Sequence, residues 1–303
     1  MSTLPRIVCV GTAALDTIAT ISRFPGVDDR VEAEQYITAG GGNAATTAVT
    51  IARLGVPVEF SGFVGDDEIG DRVVSQLQTE GVGTSFVERR PGARTAQSII
   101  LVSQPSAARS IVTYTAEAPS GIPDGFDWVH LDKAGARALH AGWSGSAKVA
   151  VDDGNLIPDL DLGLVDLYVP TVQTLRERTG LADVAAAAEH ARALGAGSVV
   201  ATSGSSGSLA LDEAGFHVAA ALDITPKSTL GAGDVFHGAL LAAVVLGKNM
   251  SEAIRFANVT AALSCRALDG RSGIPDRAEV EATLTRLPDA TTDLQAIAAR
   301  FGA

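Results

Sequence analysis

Ser228-Thr229-Leu230-Gly231-Ala232-Gly233-Asp234-Val235-Phe236 joins a loop to the start of an apolar helix expected over Asp234 to Leu246. The small residues Gly231, Ala232 and Gly233 let the backbone come close to an anion. The N–H groups of a helix's first turn lack intrahelical partners and point outward, and the macrodipole adds partial positive charge. Such a stretch is an anion hole, suited to charge developing on a phosphoryl group. A carboxylate beside it has a chemical use: Asp234 can take the proton from an attacking hydroxyl. Taken by itself, the stretch equally describes an N-capping aspartate after a glycine turn.

Upstream, Arg6 to Val10 is a short apolar run ending at Gly11, a first core strand. Gly40-Gly41-Gly42-Asn43 opens a helix over Ala44 to Leu54, stopped by Gly55 and Pro57. Further strands are expected at Val58 to Val64, Trp128 to Leu131, Lys148 to Val151, Asp166 to Val169 and Ser198 to Ser203. Further helices are expected at Asp71 to Glu80, Ala182 to Leu194, Glu252 to Leu263 and in the tail, Asp289 to Ala303. This alternation predicts an α/β fold with a mostly parallel central sheet flanked by helices on both faces.

Two regions, about 16–39 and 95–118, alternate with a β period and contain no helix. Ser98-Ile-Ile-Leu-Val and Ser110-Ile-Val-Thr-Tyr read as a hairpin around Gln104-Pro105. Together the two regions predict a small antiparallel sheet inserted in one α/β domain spanning residues 1–303. Its role is a lid over a ligand, a dimer contact, or both; the alternative is an extra edge of the main sheet.

Composition narrows the function. Hydrophobic residues make up 46 % and aromatics only 5 %, so the core must be built from Ala, Val, Leu and Ile. The net charge of −12 disfavours nucleic acid and anionic membranes, which would repel the surface. Cys9 and Cys265 sit in apolar settings and suit neither a disulfide framework nor a zinc site. No leader-like N-terminus and no apolar run near ~20 residues is present, so a soluble, cytoplasmic protein is expected.

The ordered motifs extend the opening stretch over nearly the whole chain. They run from Asp16 through Gly41-Gly42-Asn43, Arg53-Leu54-Gly55, Gly62-x-Val64-Gly65-Asp66-Asp67-x-x-Gly70 and Gly81-Val82. Thr202-Ser203-Gly204-x-x-Gly207 and Gly231-Ala232-Gly233-Asp234-x-Phe236-x-Gly238 complete the series. In this order they resemble the PfkB/ribokinase family of carbohydrate kinases. The resemblance implies a ribokinase-like three-layer fold with a β lid, using ATP and Mg²⁺. It implies that Asp234 is the catalytic base and that Gly231, Ala232 and Gly233 form the anion hole. Asp16, Gly41, Gly42 and Asn43 would hold sugar hydroxyls. Ser203, Gly204 and Gly207 would border the ATP phosphates and ribose, and Asn258 would lie near the adenine. A homodimer through the lid is expected.

The run from Gly231 to Leu240, Arg255-Phe-Ala257, Cys265 and Gly270-Arg-Ser-Gly-Ile-Pro-Asp276 is similar to the sulfofructose kinase branch. That likeness implies phosphorylation of the 1-hydroxyl of 6-deoxy-6-sulfofructose, whose sulfonate needs a cation. Arg30 is its first candidate partner, Lys133 or Arg137 a second, and Thr113 stands where the branch has asparagine. Other readings are a fructose, other ketose or ribose-type kinase, a nucleoside kinase, or a non-catalytic sugar or nucleotide sensor. Ser228 replaces the family's usual Asp beside a monovalent cation, leaving potassium use open. Pro170-Thr171-Val172-Gln173-Thr174 replaces the usual Asn-x-x-Glu that organises magnesium; Asp152 and Asp153 are the carboxylates that could offer outer-shell oxygens instead.

Overall fold

A computed structural model describes residues 4–287 except 104–107, 116, 141–142 and 144, together with 289–291 and 301. The turn at Gln104-Pro105 and most of the expected tail helix lie outside the described residues. From the N-terminus the chain forms β1 (Ile7–Gly11), β2 (Ala14–Ile21), β3 (Gln35–Gly41), α1 (Asn43–Arg53), β4 (Val58–Gly65), α2 (Glu68–Thr79) and β5 (Gly83–Arg90). It continues through β6 (Ala96–Ser103), β7 (Arg109–Tyr114), β8 (Trp128–Leu131), α3 (Arg137–His140), β9 (Lys148–Asp153) and β10 (Leu167–Pro170). The last part holds α4 (Val172–Thr179), α5 (Val184–Ala193), β11 (Ser198–Thr202), β12 (Ser208–Asp212), β13 (Gly215–Ala219), α6 (Ala232–Val245), α7 (Met250–Ser264) and α8 (Arg277–Leu284).

Among the described residues nine strands make the large sheet, in the order β13-β12-β11-β10-β9-β8-β1-β4-β5. All neighbours are parallel except β11–β12 and β12–β13 at one edge. Both faces are buried, and β1 shows why its sequence is apolar throughout. Ile7 and Cys9 enter the core shared with α1, α6 and α7, while Val8 and Val10 enter the opposite core with α4 and α5. The small side chains compensate for the scarcity of aromatics: Ala239, Ala242 and Ala243 of α6 and Ala253 and Ala257 of α7 are all fully buried, which lets the helices pack closely. Among the described residues no helix is long and apolar enough to cross a membrane.

A second sheet, β3-β2-β6-β7, stands apart from the first. It is not wholly antiparallel as expected. β2 and β6 run parallel, from Ala14↔Ala96 to Ile21↔Ser103. The long crossover through α1, β4, α2 and β5 makes that pairing possible, since parallel strands need a connection of a dozen or more residues. Its buried core is small, Ile18, Ile100 and Val102, with Leu230 of the phosphate-type loop packed against it. The small sheet thus rests on the very loop that decided the sequence reading.

Candidate active site

The C-terminal ends of the parallel strands and the N-terminal turn of α6 meet under the small sheet. Helix α6 begins at Ala232, earlier than expected, with Gly231 as N-cap at φ +72°. Asp234 is therefore the third helical residue and not the cap. Its carboxylate faces Asn43 instead: Oδ1 accepts from Asn43 Nδ2 at 2.9 Å. A Cβ at position 231 would stand 2.8 Å from Gly270 Cα, so this turn requires glycine on both conformational and steric grounds.

A cavity of about 520 Å³ opens beside Asp234. Asp16, Gly42, Asn43, Thr113, Gly231 and Gly233 are among its walls. Strand register assembles one wall: Asp16 pairs with Ser98 and Ser98 with Thr113, so three polar groups fall in one row. Ser98 Oγ lies 2.9 Å from Thr113 Oγ1, and the Ser98 hydroxyl also hydrogen-bonds Asp16. Gly41 lies against the Asp16 carboxylate with no room for a Cβ. Burial raises the Asp16 pKa; the Ser98 hydrogen bond and the charge of Arg271 oppose it.

Arg271 was not singled out in the sequence, yet it supports the glycine turn from behind. It is buried, donates through Nη2 to Gly41 O at 2.7 Å, and fills the space a side chain at Gly40 would need. Burial brings its pKa down to about 10 despite the nearby carboxylates. Arg53 holds Arg271 O in turn, at 2.7 Å, while pairing with Glu80.

His237, one turn along α6 from Asp234, is marked in the sequence only by its place in the Gly231 to Leu240 run, which gives it no role in the site. Its Nε2 lies 3.0 Å from Asp152 Oδ1, both side chains being buried on the cavity wall. Burial alone would raise Asp152, but His237 outweighs it and holds the carboxyl down at about 2. The same pair raises His237 against the effect of its own burial. Behind them, burial and the His237 charge push His130 down to about 3, so it is neutral. Burial and the negative charge of Asp152 push Asp234 up to about 7, with His237 opposing.

A neighbouring cavity of about 400 Å³ shares Thr202, Thr229 and Gly233 with the first. Gly204, Gly207, Phe236 and Asn258 line it, together with the loop after β13. Asn258 is not an exposed helix residue: it is buried, and its Nδ2 donates to Ser208 Oγ at 3.0 Å and Ala219 O at 3.1 Å, tying α7 to β12 and β13. Ser203 faces a further hollow with Thr171, Thr174 and Asn155.

Several expected residues are elsewhere. Arg30 is exposed in the loop between β2 and β3 and does not line the cavity beside Asp234. Lys133 and Arg137 are exposed and also lie outside its walls. Asp153 is not free to serve a metal. It is fully buried, accepts from Tyr168 Oη at 2.7 Å and Arg178 Nη2 at 2.7 Å, and caps Ile157 N. Asp152 does reach the cavity. Ser228 is buried, and its Oγ accepts from Leu230 N at 3.1 Å.

The profile described as pfkB family carbohydrate kinase matches residues 4–140 and 155–277. The chain belongs to the pfkB family of carbohydrate kinases. This pfkB protein is 26 % identical over 295 residues to the ribokinase of Bacillus subtilis, covering 92 % of this chain and 100 % of that one. It is 25 % identical over 295 residues to the ketohexokinase of Mus musculus, covering 89 % and 98 %. The structure of Arabidopsis thaliana ribokinase complexed with ribose and ATP superposes with a TM-score of 0.78 at 26 % identity, covering 93 % of this pfkB chain and 99 % of that one. The architecture is ribokinase-like, and the chain is a sugar kinase by family.

Proposed function

We propose that this protein transfers the γ-phosphoryl group of ATP to a primary hydroxyl of a small sugar. The observation that carries the reading is Asp234, oriented by Asn43 on the cavity wall at the anion-binding start of α6. The sugar hydroxyl gives its proton to Asp234 and its oxygen forms a bond to phosphorus, while the bond from phosphorus to ADP breaks. Gly231 and Gly233 offer backbone N–H groups to the developing charge, while the Ala232 N–H donates to Thr229 O at 3.3 Å. Asp16, Gly41, Gly42, Asn43 and Thr113 orient the sugar. Gly204, Gly207 and Asn258 border the nucleotide, with Ser203 beyond them. The 1–303 chain acts as one catalytic domain whose β2, β3, β6 and β7 cover the bound sugar and exclude water.

Mg²⁺ would supply charge neutralisation between the β- and γ-phosphates. Among the described residues no group of three His, Cys, Asp or Glu side chains forms a metal cage. That suits an ion held chiefly by nucleotide phosphates and water, with Asp152 as the outer-shell carboxylate on the cavity wall.

A neutral ketose or ribose-type sugar is the better substrate reading, in keeping with the ketohexokinase and ribokinase relatives. The 6-deoxy-6-sulfofructose reading rests on the C-terminal motifs alone, since Arg30, Lys133 and Arg137 do not reach the cavity. A coupled ADP-release assay across fructose, ribose, 6-deoxy-6-sulfofructose, fructose 6-phosphate and adenosine tests this. Turnover is expected with fructose or ribose. Activity confined to adenosine would make it a nucleoside kinase, and none at all would leave a sensor.

Assembly follows the small sheet's outer face. Tyr36, Ile99 and Val112 are 68 %, 58 % and 70 % exposed, an apolar patch beside open strand edges. We read it as the contact of a homodimer. A monomeric mass in sedimentation equilibrium at micromolar concentration would refute that.

A further inference from the structure

We propose that Arg109 is a lid-borne cation that binds the phosphoryl group as it passes between the nucleotide and the sugar. This rests on the kinase reading of the two cavities. Arg109 begins β7 on the small sheet, yet its Nη1 donates to Thr229 Oγ1 at 2.7 Å, in the loop before α6. Thr229 lines both cavities, so the guanidinium stands at the place where they join. Its charge also acts on the Cys265 thiol, a wall of the nucleotide cavity, opposing the rise that burial causes there.

Charge makes the position useful. Among the described residues Arg109 is the sole lysine or arginine on the walls of either cavity. Asp16, Asp152 and Asp234 face the same space. An incoming triphosphate meets these carboxylates, with the His237–Asp152 pair already internally compensated. The backbone N–H groups of α6 supply only partial charge. A guanidinium presents a planar fork that matches two phosphate oxygens. Thr229 engages Nη1 and leaves the remaining donors of Arg109 without partners among the described residues.

In the transfer, charge gathers on the equatorial phosphoryl oxygens while the bond to the sugar oxygen forms and the bond to ADP breaks. Asp234 takes the proton, and Arg109 is neither consumed nor altered. Because the small sheet carries Arg109, covering the sugar and completing the charge around phosphorus are a single event.

Three measurements test this. Arg109→Gln is expected to lower kcat about 10²-fold on every accepted sugar, the scale for losing one preorganised donor. Arg109→Lys should recover part of that loss. By calorimetry, Arg109→Gln should weaken AMP-PNP binding about tenfold and leave ADP binding unchanged; a structural role alone would not split the two nucleotides. Unchanged kcat and unchanged AMP-PNP affinity would overturn the proposal. So would a defect confined to the KM of sulfofructose or fructose 6-phosphate, which would make Arg109 a reader of acidic sugars. A wild-type protein that binds neither AMP-PNP nor ADP removes the kinase reading and this inference with it.

Discussion

Replacing Asp234 by asparagine lowers kcat about 10²- to 10⁴-fold, the range for losing a positioned base, while ATP binding stays near wild type. The substitution keeps the shape of the side chain and an oxygen for Asn43 to bond, so what it removes is basicity. The wild-type pH profile carries the same signature. Burial and Asp152 place the Asp234 carboxyl at about 7. Only its ionised form accepts a proton, so kcat/KM falls as pH drops below about 7. Stability moves the other way. A carboxyl raised above its ordinary value of 3.8 disfavours the fold once it ionises, and that cost grows from pH 4 up to about 7 and is constant above. Asp234→Asn removes it. The inactive variant should therefore melt above wild type at pH 8, with the gap closing toward pH 4. Near-normal turnover in Asp234→Asn, or a lower melting temperature at pH 8, would rule out this account of the residue.

The second large effect concerns the fold. Asp153 is fully buried beneath the site, and its anion is met by Arg178, Tyr168 Oη and Ile157 N. Burial still raises its pKa against these partners. Arg178, at 12 % exposure, also donates to Ile157 O at 2.7 Å, so one side chain ties α4 to the end of β9. Arg178→Met strands a buried charge and should cost roughly 3–5 kcal/mol in urea unfolding. Adding Asp153→Asn removes the stranded charge, and the double variant should regain much of the loss. Exposed pairs such as Arg277–Glu281 should matter by under about 1 kcal/mol. A loss below about 1 kcal/mol for Arg178→Met would mean that the Asp153 charge is satisfied without it.

The parts of this structure legible in the sequence are those written locally. Buried parallel strands are continuous apolar runs, and β8, expected at Trp128 to Leu131, lies there. The small sheet showed its β period in Thr95 to Ala118. The elements missed have weak local signals. β12 and β13 are joined at Glu213-Ala214, without a hairpin dipeptide such as Asn-Gly, and their strand character comes from covering the sheet edge beside α7. Helix α4 is strongly polar and is recognised by its Thr171 cap, which accepts from Thr174 N. The site divides in the same way. Gly231 to Asp234 and Gly41 to Asn43 are contiguous and could be read as turns feeding helices. Arg271 and Gly41 are 230 residues apart, Arg109 and Thr229 are 120 apart. No spacing rule reaches that far, because only the closed fold decides which side chains become neighbours.

The small sheet has one mechanical consequence. β2 follows β1 after only Thr12 and Ala13, so that short link would be the fulcrum of any swing of the sheet. Asp16, Ser98 and Thr113 form the row close to it. Thr20, Val102 and Arg109 form a row four residues farther out, roughly 13 Å along the strand. Any swing of the sheet about the link then sweeps Arg109 through a wide arc and leaves Asp16 almost where it stands. On the kinase reading proposed above, Asp16 would then meet the sugar before the lever has come down.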